Sequence, residues 1–351
     1  MSSLIHTARC LDEVLGLISV LRETAEIIDK DNLIPEHVVR TMREEGVFDL
    51  RNESLGSFLC KIRAIASVSP AVAHTLLVHA SAWLSANMPD LEDGQILALS
   101  VTEPGGGTDI KSSLKSTVES VDGELKLSGT KIFTSNAPYA DAFVVLAHGP
   151  AGPTLYLVPK SSSVEYELLD ITGLRGTGAS IVRYKSAPAR RVGMPGKGVR
   201  EALRGINLGR LGYGAIALGI IDASLDIIVS TGREKVIFGR ELLTYQGIKW
   251  TIADLHSRMR AIEALIESVV RGAENTWSID PEIAAIVKVL GARAAQDAAW
   301  AATQILGGRG LARWSITDRL QRDARALDIG EGAREVLLDY ISSVAIKSRT
   351  G

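Results

Sequence analysis

The hydrophobic periodicity of this chain changes twice along its length, and no other feature limits the possible folds as much. From Leu11 to about Ala86, apolar residues recur at helical spacing, as in LDEVLGLISVLRETAEII and AVAHTLLVHASAWL. Turn-like breaks fall at Asp31-Asn32, Asn52 and Pro70. Around Gln95 short β-branched runs take over (ILALSV, STVESV, GELKLSG, DAFVVLA and TLYLVP), separated by Gly, Asn, Asp and Pro, and they continue to about Pro195. Asp122-Gly123, between STVESV and ELKL, suits the positive-φ positions of a type I′ turn and predicts a hairpin. After Gly198 long amphipathic helices return, over roughly 199–232, 241–273, 281–306 and 333–348, and four of them joined by short breaks suggest a bundle. The expected fold is α+β and multi-domain. An N-terminal helical domain would cover 1–95, a middle β-barrel or β-sandwich domain 96–196, and a C-terminal four-helix bundle 197–351.

Composition narrows the function classes. The 351 residues are 46% hydrophobic and 23% charged, which is the make-up of a globular protein with room for a large core. A formal net charge of −2 argues against nucleic acid or an anionic membrane as the main partner. No apolar run approaches the roughly 18 residues of a membrane span, and the first thirty residues lack the pattern of a signal peptide. Cys10 and Cys60 have no metal or redox spacing, so ordinary thiols and a cytoplasmic location are expected. His74 and His79 are five apart, which does not put them on one helix face, and no metal site is expected. Arg319, Arg322 and Arg325 alternate with Asp318 and Asp323, reading as a salt-bridge set rather than an anion site.

Two segments carry chemistry. Val101-Thr102-Glu103-Pro104-Gly105-Gly106-Gly107-Thr108-Asp109 follows the strand ILALS. Its glycines would let backbone N–H groups approach a ligand, and Thr102 and Thr108 add hydroxyls. No Lys-Ser/Thr follows and no helical run opens there, so it is not a nucleotide P-loop; alone, it reads better as a flexible β-turn loop. In SGTKIFTSN, strand alternation places Ile132 and Thr134 on one face and Phe133 on the other. An aromatic beside a hydroxyl suits a planar heterocycle, although an ordinary strand with one core aromatic has the same pattern.

Together, TEPGGGTD, the Asp-Gly hairpin and SGTKIFTSNAPYADAFVVLA strongly resemble the signature of the acyl-CoA dehydrogenase family. GINLGRLGYGAIALG, FGRELLTYQGIKWTIADL, QILGGRGLARWSITDRLQRDAR and DIGEGAREVLLDYI continue the likeness in the same order, from about Ala98 to the C-terminus. The resemblance implies FAD, an acyl-CoA substrate, α-proton removal and transfer of a β-hydride to flavin N5. It implies Glu331 as the base, with the Glu331 N–H and a flavin hydroxyl as donors to the thioester oxygen. Thr108, Asn207, Arg210 and Gly332 correspond to the acyl-CoA site. Thr102, Gly107, Thr108, Phe133 and Thr134 correspond to the flavin side, and Lys235, Phe238, Gln246, Gln304, Gly307 and Gly308 to its pyrophosphate and adenine side. The family also implies an electron-transfer flavoprotein as acceptor and a homo-oligomer, tetramer or dimer, whose neighbouring subunit completes the cofactor site.

Some positions depart from the family pattern. Lys235 stands where the family has an Arg, keeping the charge but losing the bidentate fork. Ala333 and Glu335 replace a Thr and a Gln that contact FAD. These changes keep two alternatives open: a flavin oxidase or monooxygenase of the same fold, and a degenerate homologue acting as a binding subunit. Glu331 favours dehydrogenation, and the alternative base position is Gly209, with no Glu between Gly205 and Gly214.

Overall fold

The computed structural model describes residues 14–88, 91–107, 109–273 and 276–350. Helix α1 (Leu15–Asp31) ends where Asn32 turns left-handed at φ 55, at the expected break. After Pro35 comes α2 (Glu36–Glu44). Helix α3 (Leu55–Ala66) starts at Ser54, whose Oγ accepts the Ser57 N–H at 3.1 Å. Helix α4 (Pro70–Ala86) opens with Pro70 in its first turn and is buried on nearly all sides. That all-round burial explains why its sequence is apolar throughout rather than striped.

The β region forms one eight-stranded sheet. Its strands are β1 (Leu97–Ser100), β2 (Thr117–Val121), β3 (Glu124–Thr134), β4 (Ala142–Gly149), β5 (Gly152–Pro159), β6 (Val164–Leu168), β7 (Ser180–Pro188) and β8 (Arg190–Arg191). The order is β6-β7-β3-β2-β4-β5-β8, with β1 parallel to β4. Asp122 (φ 54) and Gly123 (φ 84) make the β2–β3 hairpin turn, both left-handed as the sequence predicts. Against β7, strand β3 shifts register between Leu127 and Gly129 and again between Lys131 and Thr134. The Gly-rich segment corrects one expectation: a one-turn helix, α5 (Ile110–Ser113), does open after it, with the Asp109 carboxylate accepting the Ser112 N–H at 3.2 Å.

The C-terminal half is helical: α6 (Gly198–Glu234), α7 (Gln246–Ala273), α8 (Pro281–Leu306), α9 (Ile316–Ala326) and α10 (Arg334–Thr350). The four expected long helices are present. The second begins at Gln246 rather than 241, because a small hairpin of β9 (Val236–Ile237) and β10 (Arg240–Glu241) precedes it. Helix α9 is additional. Within it Arg322 pairs with Asp318 at 3.0 Å but also with Asp29 of α1, so the charged set joins elements as well as bracing one helix. Helix α6 is long and apolar enough to cross a membrane by composition, yet most of that stretch is buried against α3, α4, α7 and α8. Buried Arg63 of α3 bonds Asp222 of α6 at 2.7 Å and pairs with Glu263 of α7. One cysteine expectation is corrected: Cys60 is disulfide-bonded, not a free thiol, and Cys10 lies outside the described residues.

His79 ties α4 to its surroundings as a neutral ring: Nε2 lies 3.0 Å from the Phe48 carbonyl, and Nδ1 accepts the Leu97 N–H at 3.1 Å. Burial pushes its pKa from 6.5 down to about 4. With the folded value depressed, its stabilisation is complete above pH 6.5 and is lost as pH falls toward 4. In thermal unfolding, His79→Asn should lower Tm at pH 7 and lose less further stability than wild type on going to pH 4. An equal loss in both proteins would contradict this role.

Candidate active site

Glu331 lies in the loop between α9 and α10, in left-handed backbone at φ 57, and is followed by Gly332 at φ 108. A non-glycine residue in that region is uncommon and needs support from outside. Two cations supply it. Arg210 of α6 donates from Nε to the Glu331 carbonyl at 3.0 Å and from Nη1 to Asn207 Oδ1 at 2.9 Å. Lys288 of α8 donates to the carbonyls of Asp328 and Gly332, both at 2.8 Å. The Glu331 side chain lies against α6 at Gly209, where an added Cβ would fall 2.8 Å from Oε1 and nearer still to the rest of the carboxyl. Any side chain at 209 would therefore displace it. A Cβ at Gly330 would likewise strike the phenol of Tyr213.

Protein surrounds the Glu331 carboxyl, while part of the residue's surface stays open. Burial pushes its pKa up to about 7, against the lowering pull of Arg210 and Lys288. The Tyr213 hydroxyl is raised far above its usual range by burial and by the Glu331 charge, so it stays protonated. Its ring meets that of His74 edge-on at 5.5 Å, and His74 Nε2 lies 3.3 Å from Ser135 Oγ. Through these contacts Glu331 is linked to the end of β3.

That end holds the expected flavin side, with one correction. Phe133 sits at φ 55 and is 61% exposed. Thr134 points inward: it is 1% exposed, and its hydroxyl bonds Ser100 Oγ at 2.9 Å inside the sheet. The hydroxyl on the helical side is that of Ser135, next to His74, a residue to which the motif comparison gave no role; it lies just past a register shift in β3. Thr102 accepts the Ile132 N–H at its carbonyl at 2.9 Å, and Gly107 lies close to its side chain. Thr108 lies outside the described residues.

Glu103, also unassigned from sequence, anchors this loop. It accepts from Lys131 Nζ at 2.8 Å, from the Lys115 N–H at 2.7 Å, and from the Ser116 N–H at 3.0 Å. Burial would raise its pKa, but Lys131 and Ser116 hold it below the usual value.

The remaining predicted cofactor residues gather elsewhere. Lys235 Nζ donates to the Ile305 carbonyl at 3.2 Å and lies beside Gly307. Gln304, Gly308 and Gln246 are exposed, and Phe238 is 94% exposed. These residues sit at the far end of α6, which runs on roughly 36 Å beyond Arg210. Within one chain the two sets are not brought together. Of the departures, Glu335 is exposed and bonded to Arg334 at 3.0 Å, so its charge is met locally.

Residues 98–187 match the model of the acyl-CoA dehydrogenase middle domain, and 196–346 that of the acyl-CoA dehydrogenase C-terminal domain. The chain is 29% identical to an acyl-CoA dehydrogenase of Bacillus subtilis (strain 168), over 89% of this chain and 90% of that one. It is 32% identical to a mitochondrial isovaleryl-CoA dehydrogenase of Oryza sativa subsp. japonica, over 71% of this chain and 63% of the relative. Its fold superposes on butyryl-CoA dehydrogenase from Megasphaera elsdenii with a TM-score of 0.89 at 24% identity, covering 97% of this chain and 98% of the other. The chain belongs to the acyl-CoA dehydrogenase family of FAD-dependent oxidoreductases.

Proposed function

We propose that this enzyme converts an acyl-CoA thioester to its trans-2-enoyl-CoA, with Glu331 removing the α-proton. The observation that carries the reading is the setting of the Glu331 carboxyl: buried against Gly209, gripped through its own carbonyl by Arg210, and shifted to about pH 7. The α-proton of a thioester is weakly acidic, so its removal needs a carboxylate of raised basicity in a water-poor site. Among the described residues no acceptor takes the Glu331 N–H, which leaves it available to the thioester oxygen as charge builds there. Arg210, braced on Asn207, fixes the loop so that N–H and carboxyl act on the same substrate.

The residues present fit FAD. The exposed Phe133 and the Ser135 hydroxyl at the end of β3 would meet the flavin, with Thr102 and Gly107 of the adjoining Gly-rich loop beside them. Bound there, FAD supplies the hydride acceptor for the β-hydrogen. The distant set of Lys235, Phe238, Gln246, Gln304, Gly307 and Gly308 would hold the other end of a cofactor bound mainly to a second copy of the chain. Trp250, Trp300 and Leu311, all exposed on the same helical half, support such a homo-oligomer. The exposed Phe133 also supports delivery of electrons to a protein acceptor such as an electron-transfer flavoprotein. Relatives named for isovaleryl- and butyryl-CoA support starting a substrate screen with short acyl groups.

Anaerobic bleaching of the flavin absorbance by a panel of acyl-CoAs tests the reaction, and a protein bleached by none of them would overturn it. Glu331→Gln should keep the fold and the flavin but bleach roughly a thousand-fold more slowly. Near-normal bleaching would place the base elsewhere. Gly209→Ala, which pushes the carboxyl from its seat, should slow bleaching by about a hundred-fold with flavin content unchanged; full activity in that variant would mean the observed seat is not the working one.

A further inference from the structure

We infer that Lys288 is a positioning residue for the base: its ammonium clasps the loop carrying Glu331 and supplies charge that favours the ionised carboxylate. The inference rests on the assignment of Glu331 as base. Lys288 is 0% exposed, in the first third of α8, and its Nζ holds the carbonyls of Asp328 and Gly332 on either side of Glu331. Those two bonds close the loop around one ammonium, so the left-handed Glu331 and Gly332 are locked between α8 below and Arg210 of α6.

The charge has a direction as well as a cost. A buried ammonium bonded only to neutral carbonyls is unfavourable unless a nearby anion offsets it. Among the described residues no carboxylate pairs with Lys288 within salt-bridge distance. Three carboxylates face it: Asp328 in the loop, Glu331, and Glu335 of α10. Asp328 pairs with Arg334 at 3.4 Å, and Glu335 pairs with the same Arg334 at 3.0 Å. Glu331 is the one left without a guanidinium on its carboxylate. Arg210 and Tyr213 of α6 also face Glu331; Arg210 spends its bonds on the Glu331 carbonyl and Asn207, and Tyr213 is neutral. A neutral donor on α8 would serve to hold the carbonyls. The positive charge is what a purely structural clasp does not require.

Two variants separate the functions: Lys288→Gln keeps a donor for the carbonyls but removes the charge, and Lys288→Met removes both. The first readout needs no substrate. In holoenzyme carrying ¹³C-labelled glutamate, the infrared carboxylate band missing from Glu331→Gln is followed against pH. Wild type should titrate near 7. Both Lys288 variants should titrate higher, by roughly half to one pH unit. The acid limb of kcat/KM for acyl-CoA should move with it, and Lys288→Gln should retain more of the high-pH rate than Lys288→Met. Conservation of both the titration and the acid limb in either folded, flavin-replete variant would overturn the proposal. If Lys288→Met does not accumulate in folded form, Lys288→Gln decides alone. A wild type bleached by no acyl-CoA would defeat the proposed function, while the infrared titration would still judge Lys288.

Discussion

The carboxyl of Glu331 occupies the space that a side chain at position 209 would fill, and this contact between a loop and the middle of α6 sets the register of the site. Because α6 lacks a Cβ there, the loop after α9 can press onto the helix. Arg210, one residue on, reaches the Glu331 carbonyl, and Tyr213, one turn further, fills the room left by Gly330. The same helix packs on α3, α4, α7 and α8. Glu331 is therefore held from the core of the helical half, the setting that its proposed role as base requires.

Charge is arranged to the same end. The buried cations Arg63, Lys131 and Lys288 each bridge segments distant in the chain. Arg63 and Lys131 meet carboxylates directly, giving satisfied pairs that lock α3 to α6 and α7, and the Gly-rich loop to β3. Lys288 meets only carbonyls. That difference separates structural pairing from electrostatic tuning. A carboxyl whose pKa sits near neutrality despite two cations nearby shows how strongly burial opposes its charge.

Sequence conveyed the large plan through local physics. The periodicity switches marked the helix–sheet–helix order, Asp122-Gly123 marked the hairpin, and Pro70 marked the start of α4. The collinear motifs singled out Glu331 and Arg210, and the structure brings them together with Asn207 and Gly332. What stayed hidden depends on register or on long-range pairing. The family resemblance assigned Thr134 to the flavin, but β3 shifts register just before it and Thr134 turns inward to Ser100. Helix α9 is short and densely charged, and its buried pair of Leu320 and Ala324 makes too brief a stripe to stand out beside the long helices. Glu103 finds Lys131, and Lys288 finds the Glu331 loop, only through folding. Nothing adjacent in sequence to either residue marks the encounter.

The central claim is that a carboxylate placed in this way removes a proton from the α-carbon while hydride leaves the β-carbon. Kinetic isotope effects on anaerobic flavin reduction address it directly, using one acyl-CoA deuterated at Cα and the same acyl-CoA deuterated at Cβ. The site described here predicts that each substitution slows flavin bleaching. If Cβ deuteration slows bleaching and Cα deuteration leaves it unchanged, proton removal by Glu331 is not part of the limiting chemistry and the account is contradicted.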